Sequence, residues 1–205
     1  MNERAVAWTK DEPVGVEHAR IAIADDGLRA IGVAIGSEPK PYRLDYELDA
    51  EQGFVTSRVG VVARGEGWSR RLELRREDRG QWSADADAEG ELDLPAPGAE
   101  MSRFAEALDP DLGLSPVFNS LPVLRHGLLD GGEAPELLMT WISVPDLAVY
   151  PSRQQYTHIR ALEGGRRLIG FEGPDPVEGE EFSAEISFDH NGVVVDYPGI
   201  ATRLG

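Results

Sequence analysis

The sequence predicts a mainly antiparallel β protein. Apolar and polar residues alternate with a period of two in most segments of the chain, which is the pattern of half-buried strands. Turn signals of the Asp-Gly and Asn-Gly type separate several of these segments. The chain also holds 23 glycines and 14 prolines among its 205 residues, and folds with many turns use both. This length suits one domain with a substantial core, so we expect a single domain over residues 1–205.

The N-terminal part of the chain predicts an antiparallel meander over residues 16 to 83. The segment HARIAIADDGLRAIGVAIG holds two apolar runs joined by an Asp-Asp-Gly turn, which is a hairpin signal. In YRLDYELD, Tyr42, Leu44, Tyr46 and Leu48 alternate with charged residues, as in a strand with one buried face. The segments FVTSRVGVVAR and WSRRLELRRE continue the pattern, and the chain then turns at EDRG.

The middle of the chain gives weaker signals. Residues 84–100, ADADAEGELDLPAPGAE, are small, acidic and interrupted by proline and glycine, so they predict a solvated loop or the seam between two halves. Met101, Phe104, Ala105 and Leu108 follow at helical spacing. The same four residues could also lie in a strand, and periodicity alone leaves both structures open.

The last third of the chain returns to strand patterns, in ELLMTWISV, YTHIRAL, RRLIGFEG, EFSAEISFD and GVVVDY. The last two segments predict a hairpin that turns at His190-Asn191-Gly192. Residues 42–59 and 182–198 share an order of aromatic, acidic and aliphatic positions around a glycine turn. This similarity indicates either an internal duplication, with halves of about 1–95 and 120–205 that form two similar sheets, or a chance likeness between two hairpins.

The composition limits which partners and which cellular location are expected for the protein. A net charge of −17 argues against nucleic acid and anionic membranes as partners, because phosphate binding needs a basic surface. The absence of cysteine excludes disulfides and thiolate chemistry. The first residues lack the apolar core of a signal peptide, and no apolar run is long enough to span a membrane. We therefore expect a soluble, cytoplasmic protein.

No catalytic or metal-binding motif stands out, and the four histidines are scattered without ligand spacing, so we expect no metal and no cofactor. The segment DPDLGLSPVFNSLPVLR, residues 109–125, is the richest in polar groups among apolar residues. Asp109 and Asp111 could work as an acid–base pair, belong to a set of metal ligands, or lie solvated on an edge strand or bend. Asn119 and Arg125 could contact a ligand, or Arg125 could simply pair with Asp111.

Aromatic residues are spread over the predicted strands. They fit an ordinary sheet core, or a concave sheet face that takes an amphiphilic small molecule. An open or half-closed sheet offers such a surface.

Three stretches resemble a known family. LDPDLGLSPVFNSLPVLR, WISVPDLAVYPSRQQYT and DHNGVVVDYPGIATR resemble, in this order, conserved segments of the putative glycolipid-binding family, a bacterial domain of unknown function. Weaker similarities occur at Trp8, Glu17, the Tyr42/Tyr46 segment, Arg58 and EDRGQW. The chain departs from the family pattern at Pro110 and Leu124. The resemblance implies an incompletely closed β-barrel of two related sheets, similar to lipoprotein carriers that hold acyl chains, and it favours a strand in RFAEALDPDL.

On this basis we expect a protein that binds an amphiphilic or lipid-like ligand, such as a glycolipid, without chemical turnover. Apolar walls are expected from Tyr42, Tyr46, Trp141, Tyr156 and Tyr197. The polar head group is expected to lie against Arg125, Asn119 and Gln155, with Asp111 orienting Arg125.

Two alternatives remain at this stage. One is a hydrolase or isomerase that uses Asp109 or Asp111 with His126, and the other is a protein-interaction module whose concave face takes a peptide. The sequence leaves the oligomeric state open.

Overall fold

The computed structural model describes residues 2–77, 79–91, 93–177 and 179–205, and most of them lie in fourteen strands. The N-terminal strands are β1 (Asn2–Lys10), β2 (Gly15–Ile23), β3 (Leu28–Gly36), β4 (Tyr42–Glu51), β5 (Val55–Gly65), β6 (Trp68–Arg76) and β7 (Trp82–Gly90). The crossover and C-terminal strands are β8 (Asp109–Leu112), β9 (Leu137–Ile142), β10 (Val149–Ala161), β11 (Arg167–Pro174), β12 (Glu181–Phe188), β13 (Val194–Tyr197) and β14 (Ala201–Arg203). One short helix, α1 (Ser120–Arg125), and 3₁₀ turns at Met101–Phe104, Leu128–Asp130 and Glu163–Gly165 complete the described part of the chain.

The strands form one continuous sheet with the order β7-β6-β5-β4-β3-β2-β1-β14-β13-β12-β11-β10-β9-β8. Neighbours are antiparallel except for β8, which runs parallel to β9 at one edge. The sheet does not close, because β7 and β8 stand at opposite ends of this order. The predicted mainly antiparallel, incompletely closed architecture is therefore confirmed. The two halves are not separate sheets, however, because β1 pairs with β14 and joins them.

The strands and hairpins follow the alternation that predicts them. Strand β4 alternates buried and more exposed residues along its whole length, so its tyrosines and leucines face the core. The β2–β3 hairpin turns where predicted, with the amide of Ala24 donating to the carbonyl of Gly27 at 2.9 Å. The turn after β12 is also confirmed, because the Asp189 carboxylate accepts from the amides of Asn191 and Val193 at 2.9 and 3.2 Å.

The prediction of a loop over residues 84–100 is wrong for its first part, since strand β7 continues to Gly90. Apart from Trp82, the residues of β7 are exposed on both faces, so the strand carries no apolar alternation. Strand β7 is defined by its antiparallel backbone pairing with β6, which runs from Trp82 to Gly90. Of the EDRG turn before β7, Asp78 lies outside the described residues.

The connection between the two halves contains the remaining differences. Met101–Phe104 forms a 3₁₀ turn and not a strand, because Met101, Phe104 and Ala107 are buried at the spacing of three that this helix requires. The strand that the resemblance implies is confined to β8. Pro122 belongs to the short helix α1. It lies in the first turn of α1, where a missing amide proton leaves no hydrogen bond unmade.

A buried ion pair ties this connection to the N-terminal strands. Lys10 Nζ lies 2.9 Å from Glu17 Oε2, and both side chains are almost fully buried. The other carboxylate oxygen of Glu17 accepts hydrogen bonds from Tyr46 and Ser115, each at 2.7 Å. Ser115 belongs to the segment between β8 and α1, so one carboxylate joins β1, β2, β4 and the connection. No helix within the described ranges is long and apolar enough to cross a membrane.

Candidate functional site

A cavity of about 600 Å³ lies between the C-terminal strands and the segment that follows β8. The sheet supplies its walls from β9 to β13, and the turns after β1 and β3 reach its rim. Its lining combines aromatic, proline and aliphatic side chains with a few polar ones. The polar and aromatic residues of this lining include Asp111, Ser115, Asn119, Trp141, Ser152, Gln154, Phe171, Phe182 and Tyr197.

One wall of the cavity is aromatic. Phe171, Phe182 and Tyr197 come from the adjacent strands β11, β12 and β13, and their ring centroids lie 5.9 to 6.2 Å apart. Phe171 and Tyr197 are buried, whereas Phe182 stays 37% exposed at the rim. Trp141 lines the cavity from β9. These rings offer a contiguous apolar surface for a hydrocarbon chain or for the face of a sugar ring.

A chain of hydrogen bonds forms the polar base of the cavity. Asn119 Nδ2 donates to Tyr156 Oη at 2.9 Å, Tyr156 Oη donates to Gln154 Oε1 at 3.1 Å, and Gln154 Nε2 donates to Asp111 Oδ2 at 2.7 Å. The ionised carboxylate can only accept, so it fixes the orientation of the Gln154 amide. That orientation makes Tyr156 a donor, and its lone pair then accepts from Asn119. The donor and acceptor of each of these three hydrogen bonds therefore follow from the ionised Asp111 carboxylate.

This direction leaves acceptors facing the cavity. One amide hydrogen of Asn119, one of Gln154 and the Tyr156 proton are used in these hydrogen bonds, and Gln154 Nε2 also lies 3.4 Å from Ser152 Oγ. Asn119 is 4% exposed and lines the cavity, and within the described residues no donor reaches its Oδ1 atom. The second oxygen of Asp111 likewise has no hydrogen-bond donor among them. A polar group that enters this site can satisfy both oxygens only by donating hydrogen bonds.

The position of Asp111 changes its acidity. Burial raises the pKa of Asp111 to about 6, although the hydrogen bond from Gln154 lowers it and nearby Asp109 raises it further. Burial also raises the pKa of Tyr156 well above its usual value, as does the Asp111 charge, so its phenol remains a donor at neutral pH.

The raised pKa of Asp111 predicts a pH dependence of stability. Folded Asp111 keeps its proton up to about pH 6, whereas an unfolded aspartate loses it near 3.9. Folding therefore takes up a proton in this window, and the contribution of Asp111 to stability is present below pH 4 and lost as the pH rises through 6. Compared with Asp111→Asn, the wild-type free energy of unfolding should fall by on the order of 1 kcal/mol across this range, allowing for partial exposure. Denaturant unfolding at several pH values measures it, and parallel profiles for the two proteins would contradict it.

The structure brings several of the predicted residues together. Asp111, Asn119, Trp141 and Tyr197 line the cavity, and Tyr156 lies one hydrogen bond behind it. Gln155 does not face the cavity. Its amide donates to the carbonyl of Ala134 at 2.7 Å.

Arg125 is also placed outside the cavity. Its guanidinium lies 2.5 Å from Asp109 Oδ1 and donates to the carbonyls of Gly53 and Phe54, in the turn between β4 and β5. The predicted Asp111–Arg125 pair is wrong, because Asp111 is bonded to Gln154 and Asp109 takes the arginine.

Tyr42 and Tyr46 belong to the core of the N-terminal half and not to the cavity wall. Tyr46 donates to the buried Glu17 carboxylate and packs against Phe118, with ring centroids 5.5 Å apart. Tyr46 therefore holds the N-terminal strands against the connection, whereas Tyr42 packs within the N-terminal core.

The proposed acid–base pair is not assembled in the cavity. Asp109 is 1% exposed, is bonded by Arg125 and Thr56, and does not line the cavity, and neither does His126. Burial raises the pKa of Asp109, although Arg125 opposes this, and burial lowers the pKa of His126. This arrangement is that of a buried ion pair outside the cavity lining.

Sequence reasoning missed Gln154, Phe171 and Phe182 as cavity residues. Strand alternation places Ser152, Gln154 and Tyr156 on one face of β10, but it does not say which face of the strand is concave. Phe171 and Phe182 have the strand spacing of core aromatics, and only the packing of β11 against β12 brings their rings to the cavity.

The chain is similar to one protein family and to two solved structures. A family model described as Putative glycolipid-binding matches residues 5–203. A crystal structure of a DUF1089 family protein from Pseudomonas aeruginosa is 31% identical, with 92% of each chain covered and a TM-score of 0.65. A β-barrel-like DUF1849 protein from Brucella abortus is 9% identical, with 98% of this chain and 93% of that chain covered and a TM-score of 0.49. No curated protein matches the chain.

Proposed function

This chain belongs to the putative glycolipid-binding family, and from that premise we propose that it binds one amphiphilic, glycolipid-like molecule in the cavity between the C-terminal strands and the segment after β8. The observation that carries the proposal is the division of this cavity into an aromatic wall and a hydrogen-bonding base. Binding sites for small molecules have this form, and their volumes run from roughly 300 to 1,000 Å³.

The aromatic wall suits the apolar part of such a ligand. Trp141, Phe171 and Tyr197 present ring surface inside the cavity, and Phe182 extends that surface to the rim. Covering the exposed part of Phe182 with an alkyl chain removes apolar area from water, which stabilises the complex by roughly 25 cal/mol per Å². Because Phe182 lines the cavity and is 37% exposed, a long alkyl chain can leave the cavity along this ring.

The base suits the head group. Asn119 Oδ1 and the free oxygen of Asp111 accept hydrogen bonds, and sugar hydroxyls donate them. The hydrogen bonds from Asn119 through Tyr156 and Gln154 to Asp111 form without a ligand. These acceptors are therefore held in place before binding. Such preorganisation lowers the entropic cost of binding.

Titration calorimetry with decyl maltoside below its critical micelle concentration tests the proposal. We expect saturable binding of one molecule per chain, and Phe182→Ala should weaken it about tenfold, because the variant removes apolar contact area at the rim. Ile31→Ala is the matched control, since Ile31 is 59% exposed on β3 and does not line the cavity. The absence of saturable binding, or an equal loss in both variants, would rule the proposal out.

A further inference from the structure

The cavity carries negative charge without a balancing cation of its own. Its lining includes the carboxylates of Glu38, Asp111, Glu180 and Glu181. Among the described residues that line it, none is lysine, arginine or histidine. We propose that the head group which this cavity selects carries a protonated amine, held between these carboxylates and the aromatic wall. This inference rests on the proposed function and names the chemical class of its ligand.

The carboxylates reach the cavity from separate elements of the fold. Glu38 lies in the turn between β3 and β4, Glu180 directly precedes β12, Glu181 is its first residue, and Asp111 lies at the base. None of the ion pairs formed within the described ranges includes these four residues. Clefts lined by charge of one sign concentrate ligands of the opposite sign, so an anionic head group would be repelled here.

The hydrogen-bond chain independently favours a donor. Asn119 is 4% exposed, lines the cavity and holds an amide oxygen that no described donor reaches. The Tyr156 proton, one amide hydrogen of Asn119 and one of Gln154 are used in the hydrogen bonds that end at Asp111. An ammonium group has three donors and no acceptor, so it can donate to both Asn119 Oδ1 and the second oxygen of Asp111, whereas a phosphate or sulfate can only accept.

The aromatic wall supplies a third interaction. The rings of Phe171, Phe182 and Tyr197 pack within 6.2 Å of one another along one side of the cavity. A cation placed over the face of such a ring is attracted by its quadrupole, and the attraction grows when water is excluded. Arg125 and Arg153 lie close in the sequence to the cavity residues Asn119 and Gln154. Their guanidinium groups are held in ion pairs with Asp109 and Glu136.

Three amphiphiles with the same alkyl chain separate head-group charge from chain binding: decylammonium, decyl maltoside and decyl sulfate, each below its critical micelle concentration. At pH 7.5 we expect decylammonium to bind at least tenfold more tightly than decyl sulfate and several-fold more tightly than decyl maltoside. Asp111→Asn should weaken decylammonium binding about tenfold, because it removes the charge at the base of the cavity.

A matched control separates the cavity from the general charge of the protein. Asp87→Asn makes the same change on the exposed strand β7 and should leave the affinity for decylammonium unchanged. Equal losses in the two variants, or tightest binding of decyl maltoside or decyl sulfate, would overturn the amine assignment while leaving amphiphile binding intact. If none of the three amphiphiles binds, the proposed function fails, and the amine assignment fails with it.

Discussion

Glu17→Ala is expected to destabilise the protein by about 3–5 kcal/mol, the range measured when one partner of a buried ion pair is removed. The variant leaves Lys10, which is 6% exposed, without its counter-charge. It also removes the acceptor of the Tyr46 and Ser115 hydroxyls. Since Ser115 lines the cavity, the loss should loosen the cavity as well as the N-terminal strands. Denaturant unfolding measures the free-energy change.

Glu3→Ala is the matched control for this prediction. Glu3 pairs with Arg20, and both side chains are more than half exposed, at 53% and 61%. Exposed pairs of this kind contribute little, because water and salt screen the charges. We therefore expect a far smaller loss for Glu3→Ala, and equal losses in the two variants would contradict the structural role of Glu17.

Arg125→Met is the second variant with a large expected effect. It leaves the Asp109 carboxylate, which is 1% exposed, with the Thr56 hydroxyl as its side-chain partner. We expect a loss of about 3 kcal/mol at pH 7. Removing the guanidinium should raise the pKa of Asp109 further above its ordinary value, so the variant should regain part of this stability as the pH falls and Asp109 takes up a proton.

The same variant separates structure from ligand binding. Arg125 does not line the cavity, so folded Arg125→Met should bind decyl maltoside with wild-type affinity. Arg153→Met is the control for stability, because it removes an arginine from an exposed pair with Glu136. A head-group role for Arg125 would instead give a loss of affinity in protein that is still folded, and that result would contradict the placement of Arg125 described here.

The strands could be predicted because each carries its own signal. Alternation in β4 and the glycine turns after β2 and β12 depend on residues close together in the sequence, and the structure has strands and turns at these places. Strand β7 lacks such a signal, since both of its faces are exposed and only its pairing with β6 defines it.

The site could be predicted only in part, for a similar physical reason. In the segment RQQYT either glutamine could face a cavity, and a shift of one residue changes the face. The sequence therefore predicts Gln155 at the place where Gln154 lies. Asp109 and Asp111 are two residues apart in one strand, so either could pair with Arg125. The choice depends on the position of the Arg125 guanidinium, which lies at the end of α1 against the turn between β4 and β5. Such choices are made by contacts distant in the sequence.

The fluorescence of Trp141 tests cavity binding most directly. Trp141 lines the cavity, whereas Trp8, Trp68 and Trp82 are buried in the core of the N-terminal half. Decyl maltoside brominated in its alkyl chain should quench Trp141 on contact, in a saturable way, and Trp141→Phe should lose that quenching while keeping the emission of the other three tryptophans. Absence of saturable quenching, or equal quenching in wild type and Trp141→Phe, would show that the alkyl chain does not enter this cavity.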